Sequence, residues 1–139
     1  MLKLKGTYSQ ATLDLLEKAC SGYPEDALTP IDPEVKTLWV AALRSNVYKQ
    51  DSKSLALVGK YGHCCLGVLC ETVPYITWKP DSTEGMYIQP SNAQIPQDIA
   101  NTLKLTNKIQ EILSSLNDTP AEYGGMDFDG IADFIEIEL

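Results

Sequence analysis

The sequence predicts an α+β fold, mainly helical with a small β-hairpin or sheet, in a single domain of residues 1–139. Apolar residues recur at helical spacing in several stretches, most of them preceded by a capping residue. A short alternating run, SLALV (54–58), is followed by the turn-like GKYG and indicates a hairpin. A hydrophobic fraction of 44% and a charged fraction of 22% are typical of a soluble globular domain with one core.

The N-terminal third predicts two helices. Ser9 can cap the first, SQATLDLLEKACSG, whose leucines and Cys20 fall on one face. The stretch YPEDALTPID (23–32) is rich in turn-forming residues. Asp32 then caps a second helix, with Pro33 at its first position. This helix has little polar surface, so we expect it to be central.

The rest of the chain predicts mostly helices. LGVLCETV (66–73) is either a strand or a buried helix, which periodicity cannot decide, and we favour the helix. Residues 74–90 read as a loop or an edge strand, and IPQDIANTLKL (95–105) opens a helix at Pro96. A further amphipathic helix covers Thr106 to Leu116. Asp127 caps a last helix with an apolar inward face of Phe128, Ile131, Ala132 and Ile135.

Charge is distributed unevenly along this acidic chain. The net charge of −8 argues against general binding to nucleic acid. From Lys36 to Lys60, five basic residues stand against one acid, Asp51, so a segment of +4 joins a body of −12. After Lys108 there is no basic residue and there are eight acidic ones. The acidic part either packs beside the basic segment and favours solubility, or forms a binding surface.

The sequence predicts a cytoplasmic location. No apolar run approaches the roughly 20 residues of a membrane-spanning helix. The first residues, MLKLKGTYSQATLDLL, lack the apolar stretch of an export signal. We therefore expect the four cysteines to be reduced and buried, and we expect no contact with a membrane.

The basic segment contains the candidate ligand site. Arg44 lies in the last turn of the second helix, and a guanidinium can bind phosphate through two nitrogens. Gln50 can bind a base or an amide edge, and Tyr48, Tyr61 and Trp78 can stack on a ring. These features predict a small anionic, nucleotide-like ligand. The candidate binding residues are Arg44, Tyr48, Lys49, Gln50, Lys53, Lys60 and His63.

A structural alternative exists for the arginine. Arg44, the only arginine of the chain, can instead form an ion pair with Asp118 or with the acidic C-terminal helix. In that case it stabilises the fold and contacts no ligand.

Signals for metal and thiol chemistry are weaker. Zinc ligands usually pair at spacings of roughly two to four residues, which is not the spacing of His63, Cys64, Cys65 and Cys70. A nucleophilic pair of Cys65 and His63 would lie among apolar residues, which raise the pKa of a thiol. GMDFDGIADFIE (125–136) partly matches a calcium loop, but Gly125 at its first position has no ligating side chain. We expect no metal, no cofactor and no catalytic residue.

Two long motifs carry a resemblance. WVAALRSNVYKQ (39–50) followed by GHCCLGVLCE (62–71) resembles a family of small phage and prophage proteins with the pattern W-x-x-A-L-R-S-G-x-Y-x-Q, then C-C-L-G-V-L-C-[DE]. IPQDIANTLKL is similar to that family's L-P-x-x-V-x-x-x-L-G-L. LSSLND and FDGIADFIE are similar to its L-x-x-L-N-D-x-G-x-S-F-x-E-I-A-D-x-I-E. The resemblance covers most of residues 37–137 and implies a phage-encoded accessory protein.

The chain departs from the family pattern in three places. Asn46 stands where the pattern has glycine, and Asp127 replaces a capping serine. An insert, PAEYGG (120–125), lengthens the loop after Asp118. Because aspartate also caps helices, the change at Asp127 leaves the last helix intact.

We expect a binding protein rather than an enzyme. The first hypothesis is a phage accessory protein that acts in counter-defence in the host cytoplasm and sequesters a small nucleotide-type signalling molecule. The second is a protein inhibitor that presents its acidic helical face, residues 111–138, to a basic host protein. The third is a small enzyme that uses Cys65 and His63. If the protein is a homo-oligomer, we expect the aromatic loop from Tyr75 to Tyr87 to exchange between subunits.

Overall fold

The computed structural model describes residues 2–51, 58–59, 62–73, 79–80, 87–88, 95 and 97–139. This part of the chain is mainly helical, which confirms that part of the predicted fold class. The stretch around Cys70, for which strand and helix were both open, is a helix. The α-helices are α1 (Gln10–Ala19), α2 (Pro33–Arg44), α3 (Cys65–Thr72), α4 (Gln97–Leu103), α5 (Asn107–Asp118) and α6 (Phe128–Glu138).

The strands are two residues long. They are β1 (Val58–Gly59), β2 (Gly62–His63), β3 (Lys79–Pro80) and β4 (Tyr87–Ile88), paired antiparallel in the order β2-β1-β4-β3. Val58 pairs with His63 on one side and with Tyr87 on the other. Strands usually have three or more residues, so the predicted hairpin or sheet stays a prediction. Most of the aromatic loop between Tyr75 and Tyr87 lies outside the described residues.

Side-chain caps fix where the helices begin. The Ser9 side chain accepts a hydrogen bond from the Thr12 N–H at the start of α1, and Asp32 accepts two at the start of α2. Asp127 accepts from the Gly130 N–H at 2.8 Å. All three caps were predicted from sequence. The cap of α3 is a thiol, because the Cys64 Sγ accepts from the Gly67 N–H.

The core lies where α2 packs between α6 and α3. Trp39 has no exposed surface, and its indole N–H donates to the Cys65 carbonyl at 2.9 Å, so its one polar atom is satisfied. Val40 and Leu43 are buried on the same side of α2. The helix is central, as predicted, but its outer side faces solvent, where Leu38 is 50% exposed.

The two ends of the described chain are joined through α6. Glu138 is 2% exposed, and its carboxylate accepts hydrogen bonds from the Lys5 and Gly6 N–H groups and, at 2.6 Å, from the Tyr8 hydroxyl. The Leu139 carbonyl accepts from the Ile31 N–H. The last turn of α6 therefore holds both the N-terminal segment and the approach to α2.

Two non-glycine residues have a left-handed backbone conformation. Asn46 has φ of 62° and Lys104 has φ of 60°. Asparagine adopts this conformation more readily than most residues, whereas lysine does so at a cost. Lys104 ends α4, where its N–H donates to Asn101 and the Leu105 N–H donates to the Ala100 carbonyl. This hydrogen-bond pattern is the one in which helices most often place a glycine.

Within the described part of the chain, no helix is both long and apolar enough to cross a bilayer.

We predict that Lys104→Gly raises the free energy of unfolding by about 0.5–1 kcal/mol. Glycine removes the left-handed strain of about 1–2 kcal/mol, which its greater freedom in the unfolded chain partly offsets. The measurement is urea unfolding followed by circular dichroism. Lys108→Gly is the control, because Lys108 has a helical backbone in the first turn of α5, where the same substitution should destabilise by about 0.5–1 kcal/mol. Destabilisation by both variants would contradict the prediction.

Candidate functional site

The arginine of the predicted site is bound to α6. The Arg44 Nη2 lies 2.6 Å from Asp133 Oδ1, and its Nη1 lies 2.7 Å from Glu136 Oε2. The Arg44 side chain is 40% exposed, and those of its partners are 66% and 56% exposed. The ion pair with the acidic C-terminal helix, which the sequence left open as the alternative to a ligand contact, is therefore present.

The glutamine of the predicted site is also engaged inside the protein. The Gln50 Nε2 donates to the Asn117 Oδ1 and to the Met126 carbonyl, both at 3.0 Å. This contact ties the segment after α2 to the end of α5 and to the residues before α6. The amide N–H groups that were to bind a base edge are thus directed at the protein itself.

A short backbone ladder aligns the same segment with β2. The His63 N–H donates to the Lys49 carbonyl, and the Asp51 N–H donates to the His63 carbonyl, both at 2.8 Å. A Cβ on Gly62 would collide with the Lys49 carbonyl, so the close approach of the two segments requires glycine there. The structure thus brings Lys49, Gln50 and His63 together, three of the residues that the sequence offered as candidates for ligand binding.

The His63 ring lies between an aromatic and an acidic neighbour. Its centroid is 5.0 Å from that of Tyr48, in an edge-to-face arrangement. Its Nε2 lies 3.3 Å from the Glu71 Oε1, on α3. The Lys49 side chain is exposed. Lys53 and Lys60, the remaining predicted ligand residues, lie outside the described residues, as do Tyr61 and Trp78.

Asn117 is the centre of this region, and the sequence did not single it out. It is 1% exposed. Its Oδ1 accepts from Gln50 and from the Cys65 N–H at 3.2 Å, and its Nδ2 donates to the Asp51 carbonyl and to Asp118. Every hydrogen-bonding position of the amide is thereby used. The signal for this role was its place in LSSLND, a segment quoted above only for its resemblance.

The surroundings of the thiols are those of cysteines that pack a core. Cys65 has no exposed surface, and its Sγ lies 3.7 Å from the Leu113 carbonyl. Burial raises the pKa of the Cys64 thiol to about 11 and that of Cys70 to about 12. Burial also raises the pKa of Cys65 well above its ordinary value. A nucleophile needs an accessible thiolate, so these surroundings do not support a Cys65–His63 pair. Among the described residues, no group of three or more His, Cys, Asp or Glu side chains is placed to hold a metal.

The acidic residues after Lys108 have different surroundings. Glu138 is buried, and Asp127 caps α6. Asp129, Asp133 and Glu136 are exposed on the outer side of α6, opposite its buried apolar side. We refer to these three side chains as the α6 carboxylate surface.

An open groove lies apart from all the predicted site residues. Its volume is about 710 Å³, and one side of it is the outer face of α1. The other side is formed by Thr119, Glu122 and Tyr123, in the connection between α5 and α6. Glu122 and Tyr123 belong to the PAEYGG insert, and Tyr123 is 66% exposed. From the sequence, this insert was expected only to lengthen a loop.

Comparison with known proteins gives a partial match to one family model and no activity. Residues 31–97 match the model of a family described as a domain of unknown function, DUF8296. The matched segment runs from the start of α2, through Arg44 and α3, to the start of α4. No curated protein and no solved structure matches the chain.

We predict that Asn117→Ala lowers the free energy of unfolding by about 2–4 kcal/mol. The substitution leaves several buried partners, including the Cys65 N–H and the Asp51 carbonyl, without hydrogen bonds. Asn107→Ala, at an exposed position in the first turn of the same helix, should change it by less than about 0.5 kcal/mol. Urea unfolding of the two variants checks the difference. An equal effect of both would contradict the central role of Asn117.

We predict that Asp118→Asn stabilises the protein at neutral pH. Partial burial, and secondarily the charge of Asp51, raise the pKa of Asp118. The folded state therefore binds this proton more tightly than the unfolded state, and wild-type stability from this group falls as pH rises from about 4 through the raised pKa. The asparagine removes that loss and can still accept from Asn117.

The measurement is the urea midpoint as a function of pH. The gain from Asp118→Asn should be present at pH 7 and should disappear below the ordinary aspartate pKa. Asp26→Asn, which removes the same charge at an exposed loop position, is the control and should change the urea midpoint at pH 7 less than Asp118→Asn does. A variant less stable than wild type at pH 7 would refute the prediction.

Proposed function

We propose that this protein is a non-enzymatic binding protein that presents an acidic helical surface within residues 111–138 to a basic region of another protein. Following the resemblance to phage and prophage proteins, we propose that it is a phage-encoded accessory protein. Its partner would then be a host protein in the host cytoplasm, and its role counter-defence. The observation that carries the proposal is the α6 carboxylate surface.

The buried apolar side of α6, rather than these carboxylates, anchors the helix in the core. Phe128, Ile131 and Ile135 are buried on the inner side of α6 and hold the helix in place. The outer side could carry any polar residues, yet it carries three acids and no base in a chain segment that has no base after Lys108. Arg44 offsets one of the three negative charges, so the surface stays negative overall, and a negative surface steers a partner of the opposite sign and disfavours partners of the same sign.

Arg44 favours this function over the binding of a nucleotide. Its two terminal nitrogens already contact Asp133 and Glu136 at hydrogen-bond distance. An anionic ligand would have to compete with these two carboxylates for the guanidinium and would lie beside their negative charges. A basic side chain of a partner is instead attracted by these carboxylates, and it can share them with Arg44.

The surroundings of the thiols support a binding protein rather than an enzyme. Cys65 is fully buried and donates towards a carbonyl inside the core, and the pKa values of the neighbouring thiols are raised. In this proposal, the cysteines pack the core. The predicted small hairpin or sheet likewise has a structural role, because it supports the backbone ladder between Lys49 and His63.

We predict that Arg44→Gln strengthens binding to a basic partner, because it frees two carboxylates. The protein, immobilised at low ionic strength, would serve as bait in lysate of a bacterial host. Captured proteins would be quantified by mass spectrometry against salt concentration. Lys36→Gln is the matched control, since it removes one positive charge from the same helix. Among the described contacts, the Lys36 side chain pairs with no α6 carboxylate.

The two binding hypotheses predict different effects of Arg44→Gln. If the protein binds through its acidic surface, capture rises in Arg44→Gln and is lost in a triple variant with Asp129→Asn, Asp133→Asn and Glu136→Gln. If it sequesters a nucleotide, Arg44→Gln abolishes a thermal shift that a nucleotide panel produces in the wild type. A wild-type set of captured proteins that the triple variant also captures would show the proposal to be wrong.

A further inference from the structure

The groove beside α1 has a floor of small and apolar side chains. Ala11, Leu15 and Ala19 follow one another at helical spacing, and all three are half-buried. Asp14 and Lys18 flank them and are exposed. No side chain that lines the groove is fully buried, so the groove is open to solvent.

The facing wall is built from the PAEYGG insert and is held rigidly against α1. Gly124 has φ of 100°, and a Cβ at this position would collide with the Ala11 carbonyl. The Thr12 hydroxyl donates to the Gly124 carbonyl at 2.9 Å in a buried contact. A Cβ on Gly125 would collide with the Thr119 carbonyl. The two glycines therefore allow the insert to approach both helices closely.

The insert contributes an aromatic ring and a carboxylate to the groove, and both groups suit a cation. Tyr123 presents an exposed aromatic ring, and Glu122 adds a second carboxylate opposite that of Asp14. An aromatic face with carboxylates around it suits a cation, above all a guanidinium, which can stack on the ring and bind a carboxylate. Lys18 carries the single positive charge of the lining, so carboxylates outnumber it by two to one.

The open shape favours a protein segment over a small molecule. Sites for small molecules usually enclose most of the ligand surface, which a groove without a buried lining side chain does not do. An amphipathic helix that lies in a groove needs only an apolar strip with polar sides. Exposed tyrosine is also a residue type enriched at the energetic centre of protein interfaces.

We propose that this groove, which we name the α1 groove, binds a cationic amphipathic segment of a partner protein. The apolar side of the segment lies on Leu15 and its alanine neighbours. An arginine or lysine of the segment lies over Tyr123, between Asp14 and Glu122. The basic character of the partner rests on the proposed function, whereas the groove itself is separate from the α6 carboxylate surface.

The experiment is a selection from a random-peptide display library on the immobilised protein, followed by anisotropy titrations of a synthetic consensus peptide. We expect enriched peptides that combine arginine or lysine with apolar residues at helical spacing. Glu122→Lys and Tyr123→Ala should each weaken the consensus peptide by about tenfold or more. Glu17→Lys, on α1 but outside the groove, and Leu38→Ala, on the outer side of α2, are the matched controls and should bind like the wild type.

Several results would overturn the proposal. These are a selection without enriched sequences, enriched peptides without basic residues, and equal binding to Tyr123→Ala. N-acetylarginine amide that binds as tightly as the peptide would assign a small-cation site instead. Because Glu122 and Tyr123 are exposed, their variants should keep the wild-type far-UV circular dichroism spectrum, which separates lost binding from lost folding.

The outcome is separable from that of the proposed function. A consensus peptide that binds the triple α6 variant as it binds the wild type, and is lost in Tyr123→Ala, supports the groove even if the α6 carboxylate surface binds nothing. Lysate capture that needs the α6 carboxylate surface and is unchanged in both groove variants supports the proposed function and rejects the groove.

Discussion

The buried amide of Asn117 is the contact on which the rest of the structure depends. Three segments that are far apart in sequence meet on it: the chain after α2, the first residue of α3 and the end of α5. A buried polar group is costly when it lacks partners and specific when it has all of them. Asn117 has all of them, so the three segments fit together in one arrangement. The backbone ladder between Lys49 and His63 and the position of Gln50 both follow from that arrangement.

Arg44 gives the surface its balance of charge. It is the only arginine in a chain with a net charge of −8. Its side chain joins the end of α2 to α6, and the two helices pack against each other in the core. The pairing limits repulsion along α6 while leaving the carboxylates exposed. The same contact therefore serves the fold and sets how acidic this face is. Structure and binding are coupled here through one side chain.

Local chemistry predicted most of the helices, because caps and apolar spacing act over a few residues. Ser9, Asp32 and Asp127 each cap the helix that the sequence predicted for them. The partners of buried polar groups were not predictable in this way. Glu138 reads as one more acid of an acidic tail, yet it is buried because N–H groups more than 130 residues away surround it. Asn117 was overlooked for the same reason.

The candidate site was predicted in part. The sequence placed Lys49 and Gln50 beside a predicted hairpin, and the structure aligns their segment with His63 through backbone hydrogen bonds. It left two partners open for Arg44, because a lone cation can pair with a ligand or with a carboxylate of its own chain. It gave no sign of the α1 groove, since a groove forms only when α1 and the insert come together. Cavities arise from tertiary packing, which a linear pattern does not record.

The position of α6 has a consequence for synthesis. A ribosome makes α6 after the α2 residues on which it packs, so α2 lacks this partner until α6 has been synthesised. Glu138, which fastens the N-terminal segment, is later still. The nascent chain can form α1 and α2 as local helices but cannot close its core until this stretch has left the exit tunnel. Until then its apolar surface is a substrate for chaperones, and a premature stop codon shortly before Glu138 would leave it in that state.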